Sequence, residues 1–426
     1  MRKLAVWLLA IGIPTLLGLW LISDEETRER GLIGFSFLSW ITLGLIGYFI
    51  PVFLSYYRVS FRHKVHCAFY AYFAIVGFCT VVAFILGYAP APREQLISLA
   101  QLVIWSTTFV TIYFLVKSIS EYRRAMHLID IAGFAIGLSV LAAYVSSIYF
   151  GYRFGEFINP DNEGLVRAFG PFGDQVGFAL GYFALRTIVQ GRLALMVFYG
   201  VAILLTGTVG AYISFIVGIL WLLFRGTRLA NVRLRLRRRF LVLTCVSVIA
   251  MAGFLFTQMG ETAKSRIQTS MQGAGSVQQR LTSMSLGMRV FVDNPLGVGY
   301  LGFNSIGKKY GFAAAFGDTK TNATYTTNNQ ILQAAVDGGV PAVCALVVFL
   351  CLLYRVIRAA AHRAEEAISA DLIAGLAWLF GLAIGNQSAV WLLPTSITSL
   401  VFFLVFGVLL RVAGWSLTAA HQMPKG

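Results

Sequence analysis

The sequence predicts an all-α polytopic membrane protein, with about twelve transmembrane helices and a large helical loop on the outer side. Three observations predict it. Hydrophobic residues make up 58% of the 426-residue chain and charged residues only 12%, and the mean hydropathy is +0.75, a balance foreign to soluble domains. Apolar runs long enough to cross a hydrocarbon core of roughly 30 Å recur along the chain. Lys and Arg fall in alternate connections, as the positive-inside rule requires of a multi-pass protein.

The apolar runs cover residues 4–22, 31–55, 66–88, 96–117, 128–150, 175–190, 193–207, 209–224, 240–257, 339–357, 371–392 and 395–411. The sixth to eighth are short and separated by little more than "QGR" and "TG". The first follows "MRK", as a signal peptide would, but its apolar length and the lack of a small-x-small cleavage site predict a retained anchor. With both termini cytoplasmic, the inner connections hold most of the 34 Lys and Arg: "RVSFRHK", residues 117–124, Arg186 with Arg192, residues 225–239 and residues 355–363. The run "RGTRLANVRLRLRRR" fixes this topology best, so the net charge of +16 is mostly a topology signal. It suits anionic lipid headgroups, and a nucleic-acid partner is not expected. Cys67, Cys79, Cys245, Cys344 and Cys351 all fall within predicted spans and form no CxxC pair, which reads as small buried hydrophobes.

Two outer segments are long enough to build a site, residues 151–174 and 258–338. All five histidines lie in or beside inner segments, so neither a histidine base nor a zinc site is expected outside, and metal and cofactor are both expected to be absent. The first segment, "FGEFINPDNEGLVRAFGPFGDQVGFAL", sets Glu156, Asp161, Glu163, Arg167 and Asp174 among turn formers. The second carries an amphipathic helix over about 276–292, on which Leu281, Met284, Met288 and Phe291 share one face. Arg280 lies roughly 60° from the centre of that face, so its stem can be buried at the bilayer interface while Arg289 projects elsewhere. An interfacial helix with a snorkelling arginine is the plainer reading.

After this helix comes "DNPLGVGYLGFNS", with Gly297, Gly299 and Gly302 in GxGxxG spacing. A dinucleotide fingerprint needs a strand before it and a helix opening on its last glycine. Here a helix precedes it, so the glycines read as a backbone turn or hinge. Next, Asn328 and Asn329 stand at a probable helix start, an arrangement that a simple Asn cap would also explain. Asp337, Gly338, Gly339 and Pro341 precede the tenth span.

"RLTSMSLGMRVFVDNPLGVGYLGFNS" followed by "NNQILQAAVDGGVPA" resembles the paired outer-loop motifs of the O-antigen ligase and polymerase family of bacterial surface-polysaccharide enzymes. "ILLTGTVGAYISFIVGILWLL" resembles that family's T-x-S-R-G helix start, and "RAFGPFGDQVGFAL" its earlier loop. The resemblance covers roughly residues 165–345. It implies a GT-C-like membrane glycosyltransferase of the bacterial inner membrane, its active site facing the periplasm and its donor a polyprenyl-diphosphate-linked oligosaccharide. It also implies a flippase and chain-length regulators as partner proteins.

Arg280 matches the family's arginine, and a guanidinium suits a diphosphate leaving group. Where the ligase branch has His before Asn, this chain has Asn328, whose amide cannot act as a base. Where that branch has Ser and Arg, it has Thr208 and Val209. These departures favour a polymerase of O-antigen or exopolysaccharide repeat units over a ligase. Arg280 and Asp174 or Glu163 are then the catalytic candidates, since general-base work at that face has only carboxylates available. Arg167, Arg289, Asn328, Asn329, Asp337, Gly297 and Gly299 are substrate-binding candidates, although Asp337 is better placed to brace the loop. Asn386 and Gln387 either line the cavity or hydrogen-bond between helices. A flippase is the non-enzymatic alternative, and would require charged residues deep in the spans and repeat symmetry between halves.

Overall fold

The computed structural model describes residues 51–61, 63–87, 92–150, 158–160, 166–169, 175–226, 276–306, 310–311, 326–385 and 396–422. Its helices are α1 (Lys64–Ile85), α2 (Pro92–Leu115), α3 (Ile119–Phe150), α4 (Val176–Gln190), α5 (Leu193–Leu205), α6 (Val209–Trp221), α7 (Ser276–Asp293), α8 (Gly302–Ile306), α9 (Gln330–Ala361), α10 (Glu366–Gly385) and α11 (Ile397–Gln422). Among the described residues, six stretches are long and apolar enough to cross a membrane: Lys64–Ile85, Ser98–Leu115, Ile119–Tyr149, Gln330–Ala361, Glu366–Gly385 and Ile397–Thr418. The short sixth to eighth runs form α4, α5 and α6 at the expected places. The first and ninth runs and most of the second lie outside the described residues, as does the basic run beyond residue 226.

The expectation of an all-α chain needs one correction. In the first outer segment β1 (Ile158–Pro160) and β2 (Val166–Ala168) pair antiparallel, with Asn159 opposite Arg167. Backbone groups there have no helix to satisfy them, and pairing across a short connection does so.

α1 packs along α9, α2 along α11, α4 along α5, and α6 along α10. Association in lipid rests on close van der Waals approach rather than on hydrophobic burial. α6 and α10 illustrate this: an added Cβ at Gly381 would overlap the Ser214 carbonyl, and one at Gly385 would stand 2.7 Å from the Ser214 Cβ. At the bundle centre the Trp378 indole stacks on Phe406 and its Nε1 donates to the Phe178 carbonyl at 2.8 Å.

Arg186, expected as a cation of an inner connection, is instead buried in the C-terminal half of α4. Its Nε donates to Asp371 Oδ1 at 2.7 Å and its Nη2 to Oδ2 at 3.3 Å, while Nη1 pairs with Asp130. Tyr122 donates to Asp371 Oδ2 at 2.5 Å and Gln190 to Oδ1 at 3.0 Å. The cluster joins α3, α4 and α10 beside the turn that links α9 to α10. A second, smaller apolar core stands apart from the bundle core, formed by Leu286, Val290, Val298, Phe303, Ile306, Leu332 and Val336. It ties α7, the glycine segment and α8 to the first turns of α9.

Candidate active site

α9 is broken near its start. Gly338 and Gly339 leave helical geometry, Gly339 at φ 67, and Pro341 follows inside the helix. Pro341 has no N–H, so the Asp337 carbonyl loses its intrahelical donor. Residues 295–299 fill the gap: Gly299 N–H donates to Asp337 O at 3.0 Å, Val298 N–H to Val336 O at 2.7 Å, and Val340 N–H to Pro295 O at 3.4 Å. The two irregular backbones touch because no side chain stands between them. A Cβ on Gly297, at φ 87, would lie 2.7 Å from the Asp337 carbonyl oxygen, and one on Gly299, also at φ 87, 2.9 Å from the Thr80 Cα on α1. An L side chain is disfavoured at such φ values in any case. The GxGxxG segment is therefore a clasp on a broken helix. Gly297 N–H is spent on Asn294 O at 2.9 Å and Gly299 N–H on Asp337 O, so neither amide is open to a phosphate oxygen.

The Asp337 carboxylate completes the clasp. It is 1% exposed, and its Oδ1 accepts from Leu301 N–H at 3.0 Å and from Gln333 Nε2 at 2.8 Å. Of the two roles the sequence left for Asp337, these contacts match bracing. Tyr300, between Gly299 and Leu301, donates its N–H to Thr80 Oγ1 at 2.8 Å. Burial, reinforced by the charge of Asp337, holds the Tyr300 phenol well above its ordinary pKa, so it stays protonated.

Upstream, Asn329 caps α9, its Oδ1 accepting from Ile331 N–H at 2.9 Å and Leu332 N–H at 3.0 Å. Asn328 is different. It holds a left-handed backbone at φ 54, is half-buried, and among the described residues its side-chain amide joins no hydrogen bond. Asn, Asp and His tolerate this conformation better than other side chains. Within the Asn pair, the second residue holds the helix end, while the first has no side-chain hydrogen bond among the described residues.

α7 lies across this segment and packs through a face offset from its apolar stripe. Ser283, Leu286, Gly287 and Val290 face inward, whereas Leu281 and Met288 are exposed and Met284 and Phe291 only partly buried. A Cβ on Gly287 would meet Thr327 Cγ2 at 2.8 Å and Leu332 Cδ2 at 3.1 Å, so a small residue is needed for contact. Glycine and serine carry the protein-facing interface, beside the apolar stripe of Leu281, Met284, Met288 and Phe291. Arg280 precedes Gly287 by two helical turns and so lies on nearly the same stripe, about 10 Å along the axis. It is half-buried, at the end of the packed face rather than on the exposed apolar one. Arg289 is exposed near Tyr310, whose hydroxyl donates to Asp293 at 2.8 Å.

The structure thus gathers Arg280's helix, the glycine clasp, Asn328, Asn329 and Asp337 at one end of the bundle. Arg167 enters through its backbone in β2; Glu163, Asp174, Asn386 and Gln387 lie outside the described residues. His63 and His66 sit at the far end of α1 from Thr80, roughly 20–25 Å away along the helix. Among the described residues no group of three or more His, Cys, Asp or Glu could hold a metal.

The elements so gathered coincide with a known domain. A family model described as O-antigen ligase matches residues 193–348. This segment is similar to the O-antigen ligase family. No curated protein matches the chain significantly. The matched segment runs from α5 through α6 and α7 to the broken start of α9, and so contains Arg280, the clasp and the Asn pair. Gln333 escaped the sequence reading, yet Asn329, Gln333 and Asp337 recur every fourth residue. That is a polar stripe on an otherwise apolar helix, and helical spacing exposes it.

Proposed function

We propose that the protein is a membrane glycosyltransferase that polymerises polyprenyl-diphosphate-linked oligosaccharide repeat units into a bacterial surface polysaccharide, O-antigen or exopolysaccharide. In this reading it has about twelve spans, a GT-C-like architecture and cytoplasmic termini in the inner membrane. Residues 151–174 and 258–338 then face the periplasm. One observation carries the proposal: the half-buried Arg280 and the Asn328 amide, which joins no hydrogen bond among the described residues, belong to two packed segments that meet at Gly287 and Thr327.

In the reaction a sugar hydroxyl of one lipid-linked unit attacks the anomeric carbon of another. The bond from that carbon to the diphosphate oxygen breaks, and the lipid diphosphate leaves with the electron pair. Arg280, with Arg167, stabilises the charge that develops on it, a role in which a preorganised guanidinium is worth more in the transition state than in the ground state. Asn328 orients sugar hydroxyls, and Glu163 or Asp174 takes the hydroxyl proton. Asn329, Asp337, Gly297 and Gly299 shape the site from behind. Arg289, on the exposed side of α7, meets the outer part of a bound glycan. The inner-membrane bilayer and the predicted flippase and chain-length regulators complete the setting.

The description of the matching family favours a second reading, transfer of a finished glycan to lipid A core. Against it stands Asn328, which cannot serve as a base. The charges among α3, α4 and α10 give a flippase some support, but they sit near helix ends and are closed by mutual bonds. The test is purified protein with a single lipid-linked repeat unit. A ladder of product lengths is expected, product only on adding lipid A core would favour the ligase, and no transfer at all would overturn both enzymatic readings.

A further inference from the structure

We propose that Gln333 is a positioning residue that couples the Asn328 segment to the glycine clasp, so that the acceptor side and the donor side of the site are set by one side chain. Its Oε1 accepts from Thr327 N–H at 3.0 Å and its Nε2 donates to Asp337 Oδ1 at 2.8 Å. Asp337 Oδ1 in turn accepts from Leu301 N–H. A single amide therefore links the residue before Asn328 to the residue after Tyr300, across segments that are otherwise 26 positions apart in the chain or more. Its orientation is not free: Thr327 N–H can only donate and so requires the oxygen, while the carboxylate requires the NH2 group. Gln333 is 1% exposed and Thr327 is fully buried, so water cannot replace either bond cheaply.

The chemistry selects glutamine. A carboxylate in its place would keep the Thr327 bond but turn a second acceptor toward Asp337 Oδ1 where a donor is needed, and an aliphatic chain would strand Thr327 N–H together with one acceptor position on Asp337. The left-handed turn at Asn328 is adjacent to Thr327, so releasing Thr327 frees the Asn328 amide to swing. Gly287 packs α7 against Thr327, which passes the same displacement to the helix that carries Arg280.

This inference rests on the polymerase reading for its kinetic half alone. Wild type and Gln333→Met in lipid nanodiscs should be compared by hydrogen–deuterium exchange and by turnover of a lipid-linked repeat unit. The expected result is faster exchange at both Leu301 and Thr327, together with a kcat about 10²-fold lower and a KM that changes far less. Gln333→Glu should regain turnover as the pH falls, because a protonated carboxyl offers the same donor and acceptor as the amide. Unchanged exchange at either segment would overturn the coupling, and faster exchange with an unchanged kcat would overturn the positioning role. If the wild type transfers no lipid-linked glycan, the polymerase reading falls, while the exchange result still decides whether Gln333 joins the two segments.

Discussion

Replacing Asp371 with alanine should expose how the far end of the bundle is held. The carboxylate takes two bonds from Arg186, one from Gln190 and one from Tyr122, and both ionic side chains are nearly buried, at 7% and 6% exposure. Without it, the Arg186 guanidinium keeps only Asp130, which is itself 28% exposed. Removing one partner of a buried pair leaves an uncompensated charge and costs about 3–5 kcal/mol. Removing both should be milder. In Arg186→Leu with Asp371→Leu the stranded groups are the neutral donors of Tyr122 and Gln190, with a cost of about 1–3 kcal/mol, while Asp130 can hydrate. Reversible unfolding in mixed micelles measures both values. Because Asp371 and Asp337 lie near opposite ends of α9, more than about 30 Å apart along the helix, the double variant should retain glycan transfer once folded. A single variant that loses less than about 1 kcal/mol, or a double variant as damaged as the single, would refute this account of the cluster.

Three further outcomes follow from the site. Arg280→Ala should lower turnover about 10²- to 10³-fold in the single-substrate assay with protein abundance unchanged, and Arg280→Lys should recover only part of it because the bidentate fork is lost. Gly299→Ala should cost about 2–5 kcal/mol, combining a disfavoured left-handed backbone with overlap on the Thr80 Cα, and unfolding titrations would register it. Asn328→His should fold as well as wild type, whereas Asn328→Val should lose about 1–2 kcal/mol because a β-branched side chain resists φ 54. Equal stability of the His and Val variants by the same titration would contradict the left-handed turn.

Among the described residues the spans were legible because they are apolar over enough residues to leave no alternative, and even the crowded α4, α5 and α6 emerge close to their expected bounds. The site was legible in parts. Asn329 as a cap and Asp337 as a brace follow from local position, since cap chemistry and a nearby glycine pair act within a few residues. The clasp was not legible, because its glycines answer Pro341 and Gly339 some forty positions on, and Thr80 more than two hundred back. Motif spacing gives no sign of such distant partners. Arg186 was misplaced for a related reason: charge counting sees a cation between two spans, and only Asp371, 185 positions away, turns it inward. The packed face of α7 was not legible because periodicity counts large apolar side chains, and there the contact depends on Gly287.

The clasp also fixes an order of assembly. Val298, Gly299 and Leu301 find their acceptors only on residues 336 and 337, which emerge from the ribosome later, at the threshold of the next span. Until α9 is made and its proline-broken start is in position, those three N–H groups have no partner in the clasp and the outer subdomain cannot close. Maturation of the site is thereby tied to insertion of α9, so a chain arrested before residue 336 would carry Arg280 and the glycines without the shape that gives them a purpose.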